Sequence, residues 1–214
     1  MGRRGRNEEP GAVHHVVPQG NGRNAIVLDD HDRRSYVNRF NRVARSHGWT
    51  VHASSLLDTH HHAVVETPTA NLGHGMRLVV GGHAAWFNKR HDRAGAVFGD
   101  RYWSTRVYDI AHLLRASLYT LVNPVAAGLA RHPREWEWSS YRSLELDGCS
   151  PGLCRALGDG PKEATAVFLE LVDRAVDLIA ERRVSDRRGV VEVTRQVVSS
   201  LARPTPRAGR PGRG

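Results

Sequence analysis

The stretch Ser54-Ser-Leu-Leu-Asp-Thr-His-His-His-Ala-Val-Val-Glu-Thr-Pro68 places the consecutive histidines His60, His61 and His62 directly before an apolar run. The β-branched valines that follow, Val64-Val65, are typical of a strand. Successive side chains of a strand point to opposite faces, so His60 and His62 share one face and His61 lies on the other. Two imidazoles at i and i+2 are able to hold one divalent metal ion. A solvated histidine run is an equally open interpretation, since the chain has 13 His.

Outward from this stretch, hydrophobic spacing and turn residues predict the element order β-α-β-β-α-β. That order is typical of the ferredoxin-like split βαβ unit, an α+β fold with an antiparallel sheet. The strand of His60 and His62 would then be central, with helices on one face. The predicted strands are 11–18, 49–57, 60–66 and about 97–107. The first predicted helix follows the acidic residues at 29–32 and ends at His47-Gly48. The second predicted helix begins at Asn71.

A third helix is predicted from Asp109, over Ile110 to about Val122, with Asn123-Pro124 interrupting it. Tyr119 and Asn123 are four residues apart and therefore share a helical face. If that face packs over the histidine strand, the Asn123 carbonyl joins His60 and His62 as a third metal ligand, and Tyr119 lies beside the metal. Tyr119 packed at a sheet edge, and Asn123 as a helix-ending residue, are the alternatives.

The charge of the chain favours nucleic acid as a partner. Lys and Arg total 31 against 22 Asp and Glu, for a net charge of +9, and only two of the basic residues are Lys. Arginine makes bidentate contacts to phosphate and stacks on bases, although Arg-rich chains are also common where genomes are GC-rich. Basic and aromatic side chains interleave in the predicted fourth strand, which suits DNA binding or an ordinary edge strand: Arg101, Tyr102, Trp103 and Arg106.

The chain divides into a flexible basic arm at 1–10, a main domain at 11–145, a loop with C-terminal helices at 146–202 and a disordered basic tail at 203–214. Within this scheme 143–161 is interpreted as a Gly-rich loop, followed by helices at 162–182 and 190–201. Cys149 and Cys154 match no metal or disulfide spacing, and they indicate reduced thiols in a cytoplasmic protein. No apolar run approaches the roughly 18 residues of a membrane span.

Three segments in this order and spacing resemble the REP-associated tyrosine transposases, a branch of the single-tyrosine HUH transposases. The resemblance spans roughly residues 11–145, and 146–214 lie outside it. The segments are Gly11-Ala-Val-His-His-Val with the turn Gly20-Asn-Gly-Arg-Asn, Leu57-Asp-Thr-His-His-His-Ala-Val-Val-Glu-Thr-Pro68, and Tyr119-Thr-Leu-Val-Asn-Pro-Val-Ala-Ala-Gly-Leu129 with Trp138-Ser-Ser-Tyr141.

This resemblance implies that His60 and His62 are the metal ligands, Asn123 is the polar third ligand and Tyr119 is the catalytic nucleophile. It implies cleavage of single-stranded DNA with Mg²⁺ or Mn²⁺, through a 5′-phosphotyrosine link that a second 3′-hydroxyl resolves. The DNA would be a hairpin-forming palindrome, and the protein a monomer or homodimer. Imidazole ligands favour Mn²⁺ over Mg²⁺.

Two departures from the family pattern bear on activity. Asp58-Thr59 stands where family members usually have Pro-Asn, and Thr105–Ile110 is shorter than usual. The first would alter the turn or add a carboxylate near the metal, and the second would shift Tyr119. Two further functions therefore stay open. One is a catalytically idle protein that binds DNA hairpins, and the other is a metal-dependent hydrolase of another class, for which a Glu base beside the histidines is lacking.

Overall fold

The computed structural model describes residues 9–158 and 160–201. The predicted tail, and all of the predicted arm except Glu9 and Pro10, lie outside the described residues. The described elements are four strands, β1 Ala12–Val17, β2 Thr50–Leu56, β3 His61–Thr67 and β4 Trp103–Val107, and seven helices, α1 Asp30–Ser46, α2 Leu72–Arg90, α3 Ile110–Ala126, α4 Tyr141–Asp147, α5 Pro151–Leu157, α6 Pro161–Arg182 and α7 Arg187–Leu201.

The strands form one antiparallel sheet in the order β2-β3-β1-β4, which is the predicted ferredoxin-like arrangement. The histidine strand β3 is central, between β2 and β1, as predicted. In the register, His15 is opposite Val64 and Ser55 is opposite His62, so these four side chains share one face. The predicted α+β class is confirmed. The fourth strand is shorter than predicted, because 97–102 contribute only an isolated bridge at Phe98.

Apolar side chains of successive β3 residues enter two different cores. Ala63 and Val65 pack with α1 and α2 on one face, while Val64 packs with α3 and the C-terminal helices on the other. The helices of the βαββαβ unit itself, α1 and α2, thus share one face as expected. Because β3 is covered on both faces, its alternation of side chains decides which core each residue enters.

The prediction that Asn123-Pro124 interrupts the third helix is wrong. Helix α3 continues through Pro124 to Ala126. Proline removes one backbone hydrogen bond from a helix interior, but Pro124 lies only two residues before Ala126, the last residue of the helix. The helix then ends in a Schellman motif, in which the Leu129 N–H donates to the Pro124 carbonyl and the Gly128 N–H to that of Val125. Gly128 has the required positive φ of 71°.

The prediction of a Gly-rich loop at 143–161 is also wrong, because α4 and α5 form there. Pro151 begins α5, a position that suits proline because the N–H it lacks would have no partner within the helix. Tyr141, Leu144 and Leu153 are buried in the α3 core. Both helices are only seven residues long. Each is too short to show a clear helical repeat of apolar residues, so the glycines around them favoured the prediction of a loop. In the part of the chain that the structure describes, no helix is both long and apolar enough to span a membrane.

A buried carboxylate ties the start of α1 to the end of α2. Asp32 is fully buried, accepts a 2.8 Å hydrogen bond from the Leu28 N–H, and pairs with Arg90 and with His91 at 3.0 Å. Burial alone would raise the pKa of Asp32, but the hydrogen bonds from Leu28, His91 and Arg90 bring it below the usual value. The ionised carboxylate therefore stabilises the fold.

Asp32→Asn is expected to lower the free energy of unfolding by about 1–3 kcal/mol at neutral pH, because Arg90 and His91 lose their buried charged partner, although Arg90 keeps its pair with Asp29. A depressed folded pKa contributes stability above the unfolded value of about 3.9, and this stability is lost as pH falls through the folded pKa. Urea unfolding across a pH series measures the difference in the free energy of unfolding between the wild type and Asp32→Asn. This difference should become smaller only in strong acid. Asp30→Asn, in an exposed pair with Arg33, is the control. Equal losses of unfolding free energy in Asp32→Asn and Asp30→Asn would contradict a special stabilising role for the buried Asp32 carboxylate.

Candidate active site

A cleft of about 670 Å³ opens on the α3 face of the sheet. Strands β1, β3 and β4, helix α3 and the start of α7 all contribute to it. The chain segments that line it are therefore far apart in the sequence and are brought together by the sheet register and by helix packing. The lining residues are His15, Val17, Gln19, Arg23, Leu57, Thr59, His60, His62, Trp103, Tyr119, Asn123, Ala126, Ala127, Ser185, Asp186, Arg187 and Val190.

The three consecutive histidines divide as the strand alternation predicts. His61 is buried on the opposite face, where Tyr36 Oη is 3.2 Å from its Nδ1 and Ser54 Oγ is 2.8 Å from its Nε2. Burial lowers the pKa of His61 to about 3, so it is neutral. With both ring nitrogens engaged, His61 is a core residue, and only His60 and His62 face the cleft.

His60 and His62 are each held through Nδ1. Thr59 Oγ1 lies 2.8 Å from Nδ1 of His60, and His15 Nε2 lies 3.1 Å from Nδ1 of His62. The two rings meet edge-on with centroids 4.8 Å apart. Burial is the main cause that lowers the pKa of both histidines, so both are neutral at pH 7. Neutral rings oriented through Nδ1 present Nε2, the arrangement that metal-ligating histidines commonly have.

His15 completes this arrangement and was missed in the sequence. For His62 to present an unprotonated Nε2, its Nδ1–H must donate to His15 Nε2, which requires a neutral His15. Burial, with smaller effects of Arg187 and His112, lowers the pKa of His15 to about 4 and keeps it neutral. The alternation Val13, His15, Val17 placed His15 on one face, but only the register with β3 shows that this is the face of His62.

Tyr119 and Asn123 line the same cleft, so the predicted meeting of the helix face with the histidine strand is present. The Tyr119 ring is half-buried and lies edge-on to His62 at 5.3 Å and to His15 at 5.9 Å between centroids. Asn123 follows one turn later. The apolar face of α3, including Leu118, Leu121 and Val122, is buried in the core and fixes the rotation of the helix.

Two imidazole nitrogens and an amide oxygen are a donor set that fits a divalent ion with open coordination positions. Across 9–158 and 160–201, no group of three or more His, Cys, Asp or Glu side chains is arranged to hold a metal. An ion at this site therefore depends on the Asn123 amide and on solvent or substrate oxygens to complete its coordination. His60, His62 and Asn123 are the residues that could hold it.

The two departures from the family pattern have clear structural outcomes. Asp58 turns away from the histidines to pair with Arg33 at 2.5 Å, so it adds no carboxylate to the cleft. Thr59 is the residue that holds His60. The short link leaves only two residues, Tyr108 and Asp109, between β4 and α3. Asp109 caps α3 by accepting from the His112 N–H at 2.6 Å, and Tyr119 still reaches the cleft.

The four residues predicted to bind DNA do not form one surface. Trp103 is 45% exposed and lines the cleft. Arg106, opposite His14 in the register, is on the other face of the sheet and pairs with Glu9 at 2.7 Å. Arg101 and Tyr102 precede β4 in an irregular segment. Their role in DNA binding stays a prediction.

Two arginines in the cleft were not predicted. Arg23 ends a short 3₁₀ turn, Asn21–Arg23, with a positive φ of 62°, and its charge adds to the burial that lowers the pKa of His60. A non-glycine residue in this conformation is uncommon and often marks a functional position. Arg187 begins α7, in the part of the chain that the family resemblance left out. Nothing in the sequence singled out Arg23 and Arg187, because the chain has 29 other basic residues.

Comparison with known proteins bears on the fold. The structure of a REP-associated tyrosine transposase bound to a REP hairpin matches with a TM-score of 0.58 and 16% sequence identity, over 71% of this chain and 90% of that one. The chain thus has the fold of a REP-associated tyrosine transposase. A candidate transposase from Deinococcus radiodurans R1 matches with a TM-score of 0.39, 14% identity and coverage of 50% and 87%. No family model and no curated protein sequence matches.

Proposed function

We propose that this chain is a metal-dependent single-stranded DNA endonuclease and strand transferase that acts on hairpin-forming palindromic DNA. The observation that carries the proposal is Tyr119 edge-on to His62 in the cleft that His60 and Asn123 also line. The shared fold with a transposase that binds a REP hairpin supports DNA as the substrate class. The net charge of +9 is consistent with a polyanionic partner.

In this proposal the Tyr119 hydroxyl attacks the phosphorus of a phosphodiester. A 5′-phosphotyrosine link forms, and the 3′-oxygen leaves as a hydroxyl. Attack by a second 3′-hydroxyl on the same phosphorus restores a phosphodiester and releases Tyr119, so the bond energy is conserved. His60, His62 and Asn123 would hold Mg²⁺ or Mn²⁺. Such an ion, when bound, polarises the scissile phosphate and stabilises its developing charge.

A denaturing gel tests the proposal. Single-stranded DNA containing the palindromes that flank the gene is incubated with the full-length protein and Mn²⁺ or Mg²⁺. A protein–DNA band that survives denaturation and requires the metal is expected. Tight binding without such a band, for either metal and every flanking palindrome, would instead identify a catalytically idle hairpin-binding protein.

His15→Ala is expected to slow adduct formation by about 10–100-fold without abolishing it, the usual effect of removing a residue that orients a metal ligand. The reason is that His62 loses the partner that fixes its ring. The measurement is the rate of adduct formation across a Mn²⁺ titration, in which the half-saturating metal concentration should rise. His15→Gln, which keeps a polar partner, should recover part of the rate. An unchanged metal dependence would show that His15 does not orient His62.

A further inference from the structure

Helix α7 is fixed to the helix that carries Tyr119. Val190, Val193, Val197 and Val198 are buried in the core that α3 also enters. Arg187 lies three residues before Val190 and so on the same side of α7, and both residues line the cleft. The position of Arg187 relative to Tyr119 is therefore set by buried apolar packing.

The Arg187 guanidinium is held above an aromatic ring at the cleft. Its Cζ lies 5.4 Å from the centroid of the Trp103 ring, and Trp103 meets His15 edge-on at 5.5 Å. A guanidinium that stacks on a ring is restrained, while its N–H groups remain available at its edge. This stack links α7 to β4 and, through His15, to His62.

The charge of Arg187 has no carboxylate partner among the residues that the structure describes. The adjacent carboxylate of Asp186 instead accepts from the Gly189 N–H at 2.7 Å, at the start of α7. Arg187 and Arg23 are the two arginines that line the cleft.

We propose that Arg187, supplied by the C-terminal helix, binds a backbone phosphate of the DNA strand that enters the cleft beside Tyr119. Its planar fork matches two phosphate oxygens. Trp103, exposed next to it, offers a ring face on which an adjacent base can stack. The proposal rests on the proposed function for the identity of the ligand. It makes α7 part of the substrate site rather than a separate appendage.

The test uses the full-length protein in EDTA, so that binding is measured without cleavage. A fluorescein-labelled DNA hairpin with single-stranded flanks is titrated by fluorescence anisotropy over a series of NaCl concentrations. Arg187→Gln should weaken binding about tenfold and reduce the slope of log affinity against log salt by about one. Arg187→Lys, which keeps the charge but loses the fork, should lie between. Arg188→Gln, at an exposed neighbour outside the cleft lining, should change affinity less than about twofold.

Equal affinities and salt slopes for Arg187→Gln and Arg188→Gln would overturn the assignment. Thermal unfolding of each variant separates a loss of binding from a loss of structure, and a lower melting temperature for Arg187→Gln with an unchanged salt slope also counts against it. If the unmodified protein fails to bind the hairpin, both this assignment and the proposed function are wrong. If it binds and forms adducts while Arg187→Gln behaves as wild type, only the role of Arg187 is wrong.

Discussion

Tyr119→Phe is expected to lower covalent adduct formation by at least about a thousandfold, because it removes the attacking oxygen and little else. The Tyr119 ring would remain edge-on to His62 and His15. Hairpin binding should therefore stay within about twofold of wild type, since phosphate contacts dominate affinity. The rate of adduct formation is measured on denaturing gels and the affinity by anisotropy.

Tyr108→Phe is the matched control for this prediction. Tyr108 lies between β4 and α3, is 77% exposed and is not part of the cleft lining. Its substitution should leave adduct formation unchanged. If Tyr119→Phe retains wild-type adduct formation, then Tyr119 is not the nucleophile. If it loses binding and adducts together, Tyr119 acts in substrate binding.

His60→Ala and His62→Ala are each expected to reduce metal-dependent adduct formation by about a hundredfold or more, and EDTA should have the same effect on the wild type. Each substitution removes one of the two imidazoles whose Nδ1 atoms are already engaged by Thr59 and His15. Isothermal titration with Mn²⁺ should show weaker binding for both variants. His60→Ala is the more informative, because His60 is less buried than His62 and its loss disturbs the core less.

His31→Ala is the control for these histidine variants. His31 is exposed on α1, stacks on Trp86 at 5.7 Å and lies on the other layer of the fold. It should leave both metal binding and adduct formation unchanged. Adduct formation that persists in EDTA, with the histidine variants as active as wild type, would exclude a metal role for the pair.

Local periodicity was enough to predict the parts of the site that lie on single elements. Alternation along β3 placed His60 and His62 on one face and His61 on the other, and the α-helical repeat placed Tyr119 and Asn123 together. The element order predicted the sheet order because few arrangements satisfy β-α-β-β-α-β. These inferences need only the geometry of one strand, one helix and one connection.

The rest of the site depends on long-range packing that local patterns do not contain. His15 joins His62 only through the register of β1 and β3, and Arg187 reaches the cleft only because α7 packs on α3. Pro124 was expected to break α3, yet it lies two residues before the last helical residue and removes a single backbone hydrogen bond. The short helices α4 and α5 were hidden by glycines and are stabilised by burial of Tyr141, Leu144 and Leu153.

Mass spectrometry of the trapped adduct identifies the residue that becomes linked to DNA. The protein is incubated with the flanking single-stranded DNA and Mn²⁺, then digested with nuclease and protease, and the modified peptide is sequenced. We expect a nucleotide 5′-phosphate on the Tyr119 peptide and on no other. A phosphate on Tyr108, or DNA cleavage with no modified tyrosine, would contradict this expectation.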